Sequence, residues 1–311
     1  MLRRSSRLSK KTSKYNNSNK SVTKSSRSTK STKPIKKSSK SNKNSNQIEY
    51  KWKEGMCVAP FYMPSSEYYV LHEGPTNETW LAVHKTGRYS DIINKSGGVC
   101  IPIQTDITIQ TQCQNLIDKT LEKFNQIDGL VLNAGISMWA RFEDITNLDF
   151  FKKLMDVNYF GAVNCVHSAL PHLKKAKGVI VSCSTGQALM GFPRHSGYAA
   201  SKHALHGFLS TIAIENKNQV NILEAVLGWI RGTNLRDNAY GPNGEVQKKP
   251  PKHDNKESTS LEECVSQIIF AIEKGKRTAY IPKKLKYIPF LKAFARWYLE
   301  ERADKAVEKS N

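Results

Sequence analysis

Acidic residues are absent from the first 48 positions of this 311-residue chain. The same stretch contains 15 Lys or Arg and 14 Ser, with almost no large apolar side chains. Such a segment cannot bury enough apolar surface to offset the entropy of ordering its chain, so we predict that residues 1–48 are disordered. The net charge of +21 belongs mainly to this tail, because the other 33 of the 48 basic residues are nearly balanced by 27 acidic ones.

The tail also has little aromatic character, since Tyr15 is its one aromatic residue. This argues against stacking on nucleic-acid bases. Its cations still suit a polyanion contact, such as nucleic acid, an anionic membrane surface or a nuclear import receptor. The composition fits a mitochondrial targeting segment as well, although the amphipathic pattern is poor. Low-complexity sequence without a specific partner is an equally open interpretation.

Closely spaced cysteine pairs are absent too. None of the six cysteines forms a CxxC motif: Cys57, Cys100, Cys113, Cys165, Cys183 and Cys264. This spacing supports neither a zinc site nor a disulfide framework, and it favours free thiols in a reducing, intracellular compartment. No apolar run is long enough to span a bilayer, and the N-terminus lacks the apolar stretch of a secretory signal.

From about residue 49 onwards, short apolar runs alternate with amphipathic helical patterns. The runs are residues 80–83, 98–103, 128–132, 179–181 and 220–226. The helical patterns cover residues 111–124, 148–163 and 199–214. Strands that alternate with helices of 10 to 15 residues are typical of βαβ units, so we predict an α/β domain over residues 49–311 with a parallel sheet.

The strongest chemical signal is the segment Tyr198-Ala-Ala-Ser-Lys202. On a helix, residues four apart lie on one face. A phenol is a poor acid or base at neutral pH, but a neighbouring cation stabilises its phenolate and lowers its pKa. The spacing therefore indicates a group that exchanges a proton with a carbonyl or an alcohol.

Three further segments accompany this pair. Asn133-Ala-Gly135 follows one predicted strand, and the hydroxyl-rich Ser182-Cys-Ser-Thr-Gly186 follows another. Val157-Asn158-Tyr-Phe-Gly161 lies in a helical pattern. With these four motifs in this order, the chain resembles the short-chain dehydrogenase/reductases from about residue 80 to about residue 307. The resemblance implies a Rossmann-like, doubly wound sheet and an oxidoreductase that interconverts a carbonyl and an alcohol with a nicotinamide cofactor.

The resemblance implies catalytic roles for particular positions. Tyr198 would be the acid/base, and Lys202 would lower its pKa and bind the nicotinamide ribose. Asn158 would hold a water in a proton relay. The hydroxyl that assists Tyr198 would be Ser184 or Thr185; Thr185 has the usual spacing, and we slightly favour Ser184 because a one-residue adjustment in this loop costs little.

The resemblance also implies cofactor contacts. Asn133 would stabilise the central strand beside the cofactor, Asp106 would contact the adenine, and Thr233 would lie near the nicotinamide carboxamide. Lys85 follows a predicted strand together with other cations and no acid. A cation there favours a ribose 2′-phosphate, so we expect NADP, with NAD as the alternative.

The family's Gly-rich pyrophosphate loop has no counterpart here. The corresponding residues, 54–64, contain one glycine and two prolines, which disfavour the expected helix. We therefore describe the first βα unit, residues 50–79, as atypical. A catalytically inactive relative that has lost cofactor binding and serves as a scaffold is the alternative function.

The C-terminal residues 279–311 are rich in aromatic and basic side chains, and we predict a helical segment there. It could lie on a membrane surface, cover a substrate pocket, or pack on the domain or on a second copy in a homo-oligomer. The expected partner of the whole site is a small carbonyl or alcohol substrate.

Overall fold

A computed structural model describes residues 68–72, 79–82, 99–231, 233, 235–236, 238–247 and 258–308. All of these residues belong to one unit, Ser45–Asn311. The predicted disordered tail, the altered segment 54–64 and Lys85 lie outside the described residues.

A seven-stranded sheet is the centre of the described structure. Its strands are β1 Tyr68–His72, β2 Thr79–Ala82, β3 Val99–Ile103, β4 Gly129–Leu132, β5 Val179–Thr185, β6 Asn221–Leu227 and β7 Thr278–Ile281. They lie in the order β3-β1-β2-β4-β5-β6-β7. Neighbours from β2 to β7 pair in parallel. The α/β fold with a parallel sheet is therefore confirmed.

Strand β1 departs from the predicted pattern. It lies in the segment 50–79, where no strand was predicted, and it pairs antiparallel with both β2 and β3. Only residues 73–78 connect it to β2, and a parallel crossover needs about a dozen residues or more. A connection of this length permits only antiparallel pairing between adjacent strands. As a result, β2 adjoins β4, in the place that the Rossmann order gives to its first strand.

Seven α-helices accompany the sheet in the described residues: α1 Gln110–Phe124, α2 Asp149–Met155, α3 Gly161–Ala176, α4 Ser196–Glu215, α5 Leu261–Glu273, α6 Ile288–Phe294 and α7 Arg296–Glu308. A π-helical turn, Asp156–Phe160, joins α2 to α3. The helix predicted at 148–163 therefore continues to Ala176. The predicted C-terminal helical segment is corrected at its start, because residues 278–281 form β7 before the helices begin.

Apolar side chains cover both faces of the sheet. Leu130 and Leu132 of β4 belong to one core cluster, together with residues of α1, α3 and α4. Val131, between them, belongs to a second cluster with Ile268 and Ile272 of α5. Successive side chains of a strand point to opposite faces. Burial on both faces explains why the parallel strands read as continuous apolar runs in the sequence.

The glycine of the Val157–Gly161 motif has a packing role. A Cβ atom on Gly161 would lie 2.2 Å from Cδ1 of Ile107, which is itself buried. Only glycine lets the first turn of α3 approach the segment after β3 this closely. This approach positions the π-helical turn that precedes α3. No described helix combines the length and apolar character needed to cross a membrane.

Candidate active site

A pocket lies where the carboxyl ends of three parallel strands meet helix α4. Asn133 and Gly135 line it after β4, Thr185 lines it at the end of β5, and Leu227 lines it at the end of β6. The crevice outside the carboxyl ends of the strands is the usual ligand site of open α/β sheets. The topology therefore brings together three of the four motifs that the sequence analysis singled out.

Tyr198 and Lys202 form the wall of this pocket on α4. Their side chains are 6% and 4% exposed, so both polar groups are buried. The Lys202 ammonium lies 5.8 Å from the centroid of the Tyr198 ring. Its Nζ also donates to the carbonyl oxygen of Cys183 at 3.4 Å. The predicted placement of the pair on one helical face agrees with this geometry.

Burial dominates the electrostatics of Tyr198. Desolvation raises the pKa of its phenol well above the ordinary value, while the charge of Arg236 and a side-chain hydrogen bond with Thr185 act in the lowering direction. The sequence analysis expected Lys202 to lower this pKa. In the structure the loss of water outweighs the charge of Arg236, because burial disfavours the charged phenolate. Tyr198 is therefore a protonated phenol at neutral pH.

Burial also affects the groups beside Tyr198. Desolvation lowers the pKa of Lys202, and the charges of Cys183 and Glu224 act in the raising direction. Burial raises the pKa of the Cys183 thiol to about 11, although Lys202 acts to lower it. A thiol with such a pKa is protonated at neutral pH and is a poor nucleophile. Cys183 therefore contributes its backbone carbonyl to the site.

The pleat of β5 separates the two candidate hydroxyls. Thr185 is the one whose side chain acts on the pKa of the Tyr198 phenol, in the lowering direction. Its Oγ1 also accepts a hydrogen bond from the backbone N–H of Gln187 at 3.3 Å, which leaves the Thr185 proton to be donated. Ser184 is buried, and its Oγ has no hydrogen-bond partner within the described residues. Both residues line the pocket, but since β5 continues through Thr185, alternation directs their side chains to opposite sides of the strand.

Asn158 lies in the π-helical turn and is 1% exposed. Its Oδ1 accepts from the backbone N–H of Ile136, and its Nδ2 donates to the Ile136 carbonyl and to Ser201 Oγ, each at 2.9 Å. Ser201 in turn donates to the carbonyl of Tyr198 at 2.8 Å. Asn158 therefore ties the loop after β4 to the helix that carries Tyr198. A π-turn at this position is in keeping with the frequent use of such turns at functional sites.

The remaining predicted cofactor residues are more widely spread. Asn133 and Thr233 both line the pocket, and the Thr233 hydroxyl donates to the Ile230 carbonyl at 3.3 Å. Asp106 lies beyond β3 and outside the pocket lining. Its Oδ1 accepts from the backbone N–H and the hydroxyl of Thr108 at 2.9 and 2.7 Å. An adenine contact by Asp106 stays a prediction.

Sequence reasoning expected pocket-lining residues in the loops around 187–197 and 235–258, but it did not identify the aromatic and cationic side chains of the pocket wall. Trp139, Phe192, His195, Trp229 and Arg236 all line it. The His195 ring is buried and lies 5.0 Å from the Trp139 ring and 5.9 Å from the Tyr198 ring, centroid to centroid. The Arg236 guanidinium lies 4.5 Å from the centroid of Trp229. These residues come from loops after the strand ends, which is the one sequence signal that could have indicated them.

The described part of the chain contains no cluster of side chains suited to bind a metal ion. No group of three or more His, Cys, Asp or Glu side chains there could hold a metal ion. The five cysteines that the structure describes are free thiols.

Comparison with protein families gives a match between residues 83–242, just over half of the chain, and the family model described as short chain dehydrogenase. "11-beta-hydroxysteroid dehydrogenase-like 2" of Arabidopsis thaliana is 32% identical over 197 residues, which are 63% of this chain and 61% of that protein. "11-beta-hydroxysteroid dehydrogenase" of Pinus massoniana is 30% identical over 184 residues, covering 58% of this chain and 52% of that protein. The chain thus spans less than two thirds of the length of these relatives.

Solved structures resemble the chain at the level of the fold. A short-chain dehydrogenase from Streptomyces avermitilis aligns with a TM-score of 0.57 and 18% identity, covering 73% of this chain and 87% of that chain. A short chain dehydrogenase from Burkholderia cenocepacia, solved in complex with NADP, aligns with a TM-score of 0.54 and 24% identity. That alignment covers 65% of this chain and 78% of the other.

Proposed function

The chain belongs to the short chain dehydrogenase family, and on this basis we propose that it is an NADP-dependent oxidoreductase that interconverts a carbonyl and an alcohol. The observation that carries the proposal is the buried Tyr198 phenol, which lies on the pocket wall together with the Lys202 ammonium and the Thr185 side chain. A proton donor, a hydroxyl and a cation in one pocket are what the oxygen of a reacting carbonyl requires.

The floor of the pocket fits the nicotinamide end of a cofactor. A Cβ atom on Gly135 would lie 3.2 Å from Asn158 Oδ1 and 3.6 Å from Lys202 Nζ, so glycine leaves this space open. Lys202 would bind the nicotinamide ribose, and Asn133 and Thr233 would lie beside the ring. The bound cofactor would supply the hydride. NADP is favoured over NAD by the NADP complex of the Burkholderia cenocepacia protein. The prediction from Lys85 lies outside the described residues.

In carbonyl reduction, Tyr198 donates the proton. The phenol is protonated at neutral pH, as a phenol of ordinary or raised pKa is, so it can donate to a carbonyl oxygen as negative charge develops there. The positive charges of Lys202 and Arg236 in the same pocket stabilise the phenolate that is left behind. Alcohol oxidation requires the reverse transfer, in which the Tyr198 phenolate accepts the proton.

We assign the assisting hydroxyl to Thr185, in place of the slight preference for Ser184 that the sequence analysis reached. Thr185 acts on the pKa of the Tyr198 phenol, whereas Ser184, which also lines the pocket, is not among the groups that do. Asn158 acts as a positioning residue, since its side chain holds the loop after β4 against α4. Its expected contact with a relay water stays a prediction.

Two variants, each lacking one of the hydroxyls, test this assignment. Thr185→Val keeps the shape of the side chain but removes the hydrogen bond to Tyr198, so we expect NADPH-dependent carbonyl reduction to slow by about 100-fold. Ser184→Ala is the matched control and should retain most of the wild-type rate. Thr185→Ser should restore activity. The rates are measured as NADPH consumption with the alcohol product quantified, and a larger loss in Ser184→Ala than in Thr185→Val would reject the assignment.

A further inference from the structure

A carboxylate lies within the sheet, next to the proposed active site. Glu224 is in the middle of β6, between apolar residues, and is only 8% exposed. Its side chain points to the same face as that of Ile222, which packs in the core cluster with Leu205 and Leu209 of α4. Removing a carboxylate from water is costly unless charged or hydrogen-bonding groups compensate for the lost solvation. Glu224 therefore requires partners on the side of α4.

His206 of α4 binds one oxygen of this carboxylate. Its Nδ1 lies 2.6 Å from Oε2 of Glu224. The His206 side chain is 37% exposed and so reaches solvent, whereas that of Glu224 is 10% exposed. The hydrogen bond with Glu224 raises the pKa of the His206 imidazole, while partial burial acts in the lowering direction. His206 thus holds the carboxylate from the solvent side.

The other oxygen of the carboxylate lies towards the active site. This atom, Oε1 of Glu224, is buried and has no hydrogen-bond partner within the described residues. Lys202 lies one turn before His206 on the same face of α4. Its Nζ donates to the carbonyl of Cys183, and the preceding residue, Ser182, is directly opposite Glu224 in the pairing of β5 with β6. The helix and the strand register therefore bring the Glu224 carboxylate close to the Lys202 ammonium.

The Lys202 ammonium needs a negative charge nearby, because burial disfavours its charged form. Desolvation is the largest influence on its pKa and lowers it, while Cys183 and Glu224 act in the raising direction. The Cys183 thiol is protonated at neutral pH, since burial raises its pKa to about 11. No Asp or Glu is among the residues that line the described pocket. Glu224 is therefore the carboxyl group that offsets part of the cost of burying Lys202.

Two further titratable groups lie around the pair. Burial raises the pKa of the Tyr280 phenol on β7, and the charge of Glu224 adds to this effect, so Tyr280 is neutral at neutral pH. Lys292 of α6 acts on His206 in the lowering direction, and its Nζ donates to the carbonyl of Leu189 at 2.8 Å. Neither of these groups takes the place of Glu224 beside Lys202.

We propose that Glu224, held by His206, is a positioning residue that keeps the Lys202 amine in its charged form within the pocket. The inference rests on the proposed function, in which the Lys202 ammonium stabilises the Tyr198 phenolate and binds the nicotinamide ribose. Neither Glu224 nor His206 is among the residues that line the described pocket. The pair therefore acts on the reaction through Lys202.

Substitutions that change the charge at position 224 test this role in the full chain. Glu224→Gln removes the charge but keeps the shape, and its amide oxygen can still accept a hydrogen bond from His206 Nδ1. Glu224→Asp is the second variant and keeps the charge on a shorter side chain. Glu215→Gln is the matched control, because it removes the same charge from the exposed end of α4.

The charge of Lys202 is measured by NMR on protein labelled with lysine that carries ¹³C at Cε. This resonance moves when the amine loses its proton, and Lys202→Arg identifies the signal of Lys202. We expect Lys202 to lose its proton at a lower pH in Glu224→Gln than in the wild type, because removal of a neighbouring negative charge favours the neutral amine. Glu224→Asp should lie between the two, and Glu215→Gln should match the wild type.

The pH profile of NADPH-dependent carbonyl reduction is the second measurement. Since the Lys202 ammonium is fully formed below its pKa, Glu224→Gln should reduce at about pH 6 nearly as fast as the wild type. At about pH 9 its rate should be about 10-fold lower, because the amine has already lost its proton. Glu215→Gln should retain the wild-type rate at both pH values.

Three results would overturn the inference. They are an unchanged titration of Lys202 in Glu224→Gln, an equal shift in Glu215→Gln, and a loss of rate of the same size at both pH values, which a merely structural role produces. The NMR titration requires no turnover. If it shows the expected shift while the wild type reduces no carbonyl with NADPH, the proposed oxidoreductase activity fails and the action of Glu224 on Lys202 stands.

Discussion

Tyr198→Phe should slow carbonyl reduction by about 1000-fold, within the range that a positioned acid/base contributes, and should leave NADPH affinity nearly unchanged. The substitution keeps the ring that lines the pocket and removes only the hydroxyl that donates the proton. Because Tyr198 is 6% exposed, water has little access to take over this transfer. Steady-state rates of the full chain and a calorimetric titration with NADPH measure the two quantities.

Tyr240→Phe is the matched control for this experiment. Tyr240 is buried in the same apolar cluster as Tyr198 but does not line the pocket. Removing its hydroxyl makes the same chemical change in a similar environment, so the rate should stay close to that of the wild type. Wild-type turnover in Tyr198→Phe, or an equal loss in both variants, would show that the Tyr198 hydroxyl is not the proton donor.

Asn158→Ala should lower the free energy of unfolding by about 3 kcal/mol, because it leaves three buried hydrogen-bonding groups without their partner. The affected groups are the N–H and the carbonyl of Ile136 and the hydroxyl of Ser201. Activity should fall as well, since the loop after β4 and the helix of Tyr198 are no longer tied together. Urea unfolding of the full chain, followed by circular dichroism, gives the change in stability.

The neighbouring Asn164 provides the comparison. Its Nδ2 makes one hydrogen bond, to the carbonyl of Ile107 at 2.8 Å, and the residue is only partly buried. Asn164→Ala should therefore cost about 1 kcal/mol. If Asn158→Ala were no more destabilising than Asn164→Ala, the view that Asn158 ties the site together would be wrong.

Much of the sheet and of the site could be predicted from the sequence. Strands β3, β4 and β6 lie within one or two residues of the predicted runs. For β4 and β6 the reason is that burial on both faces requires uninterrupted apolar sequence. Tyr198 and Lys202 meet in the pocket because a spacing of four on one helix places them on one face. Local periodicity therefore accounts for these parts of the structure.

The choice between Ser184 and Thr185 depended on contacts that are distant in sequence. The apolar run ends at Val181, but β5 continues because residues 182–185 pair with β6. This pairing fixes the register, so the one-residue adjustment that favoured Ser184 would turn every following side chain to the other face. The end of a strand is set by its neighbour as much as by its own composition.

No comparable sequence pattern indicated the position of β1 or the residues of the pocket wall. Strand order depends on contacts that are distant in sequence. The antiparallel pairing of β1 with β2 is explained by the short connection between them. Trp139, Trp229 and Arg236 lie in irregular segments without periodicity, so their convergence could not be predicted from their spacing. Only the rule that ligands bind beyond the strand ends would have indicated those segments.

Cofactor binding separates the proposed oxidoreductase from the inactive alternative. In the sequence, the altered residues 54–64 take the place of the family's pyrophosphate loop, and they are the reason for considering that alternative. Calorimetric titration of the purified full chain with NADPH and with NADH tests cofactor binding most directly. The proposed function predicts a dissociation constant for NADPH in the range of about 1–100 μM, typical of enzyme ligands, with weaker binding of NADH. Absence of binding by either cofactor at millimolar concentration would contradict the proposed oxidoreductase and favour an inactive relative.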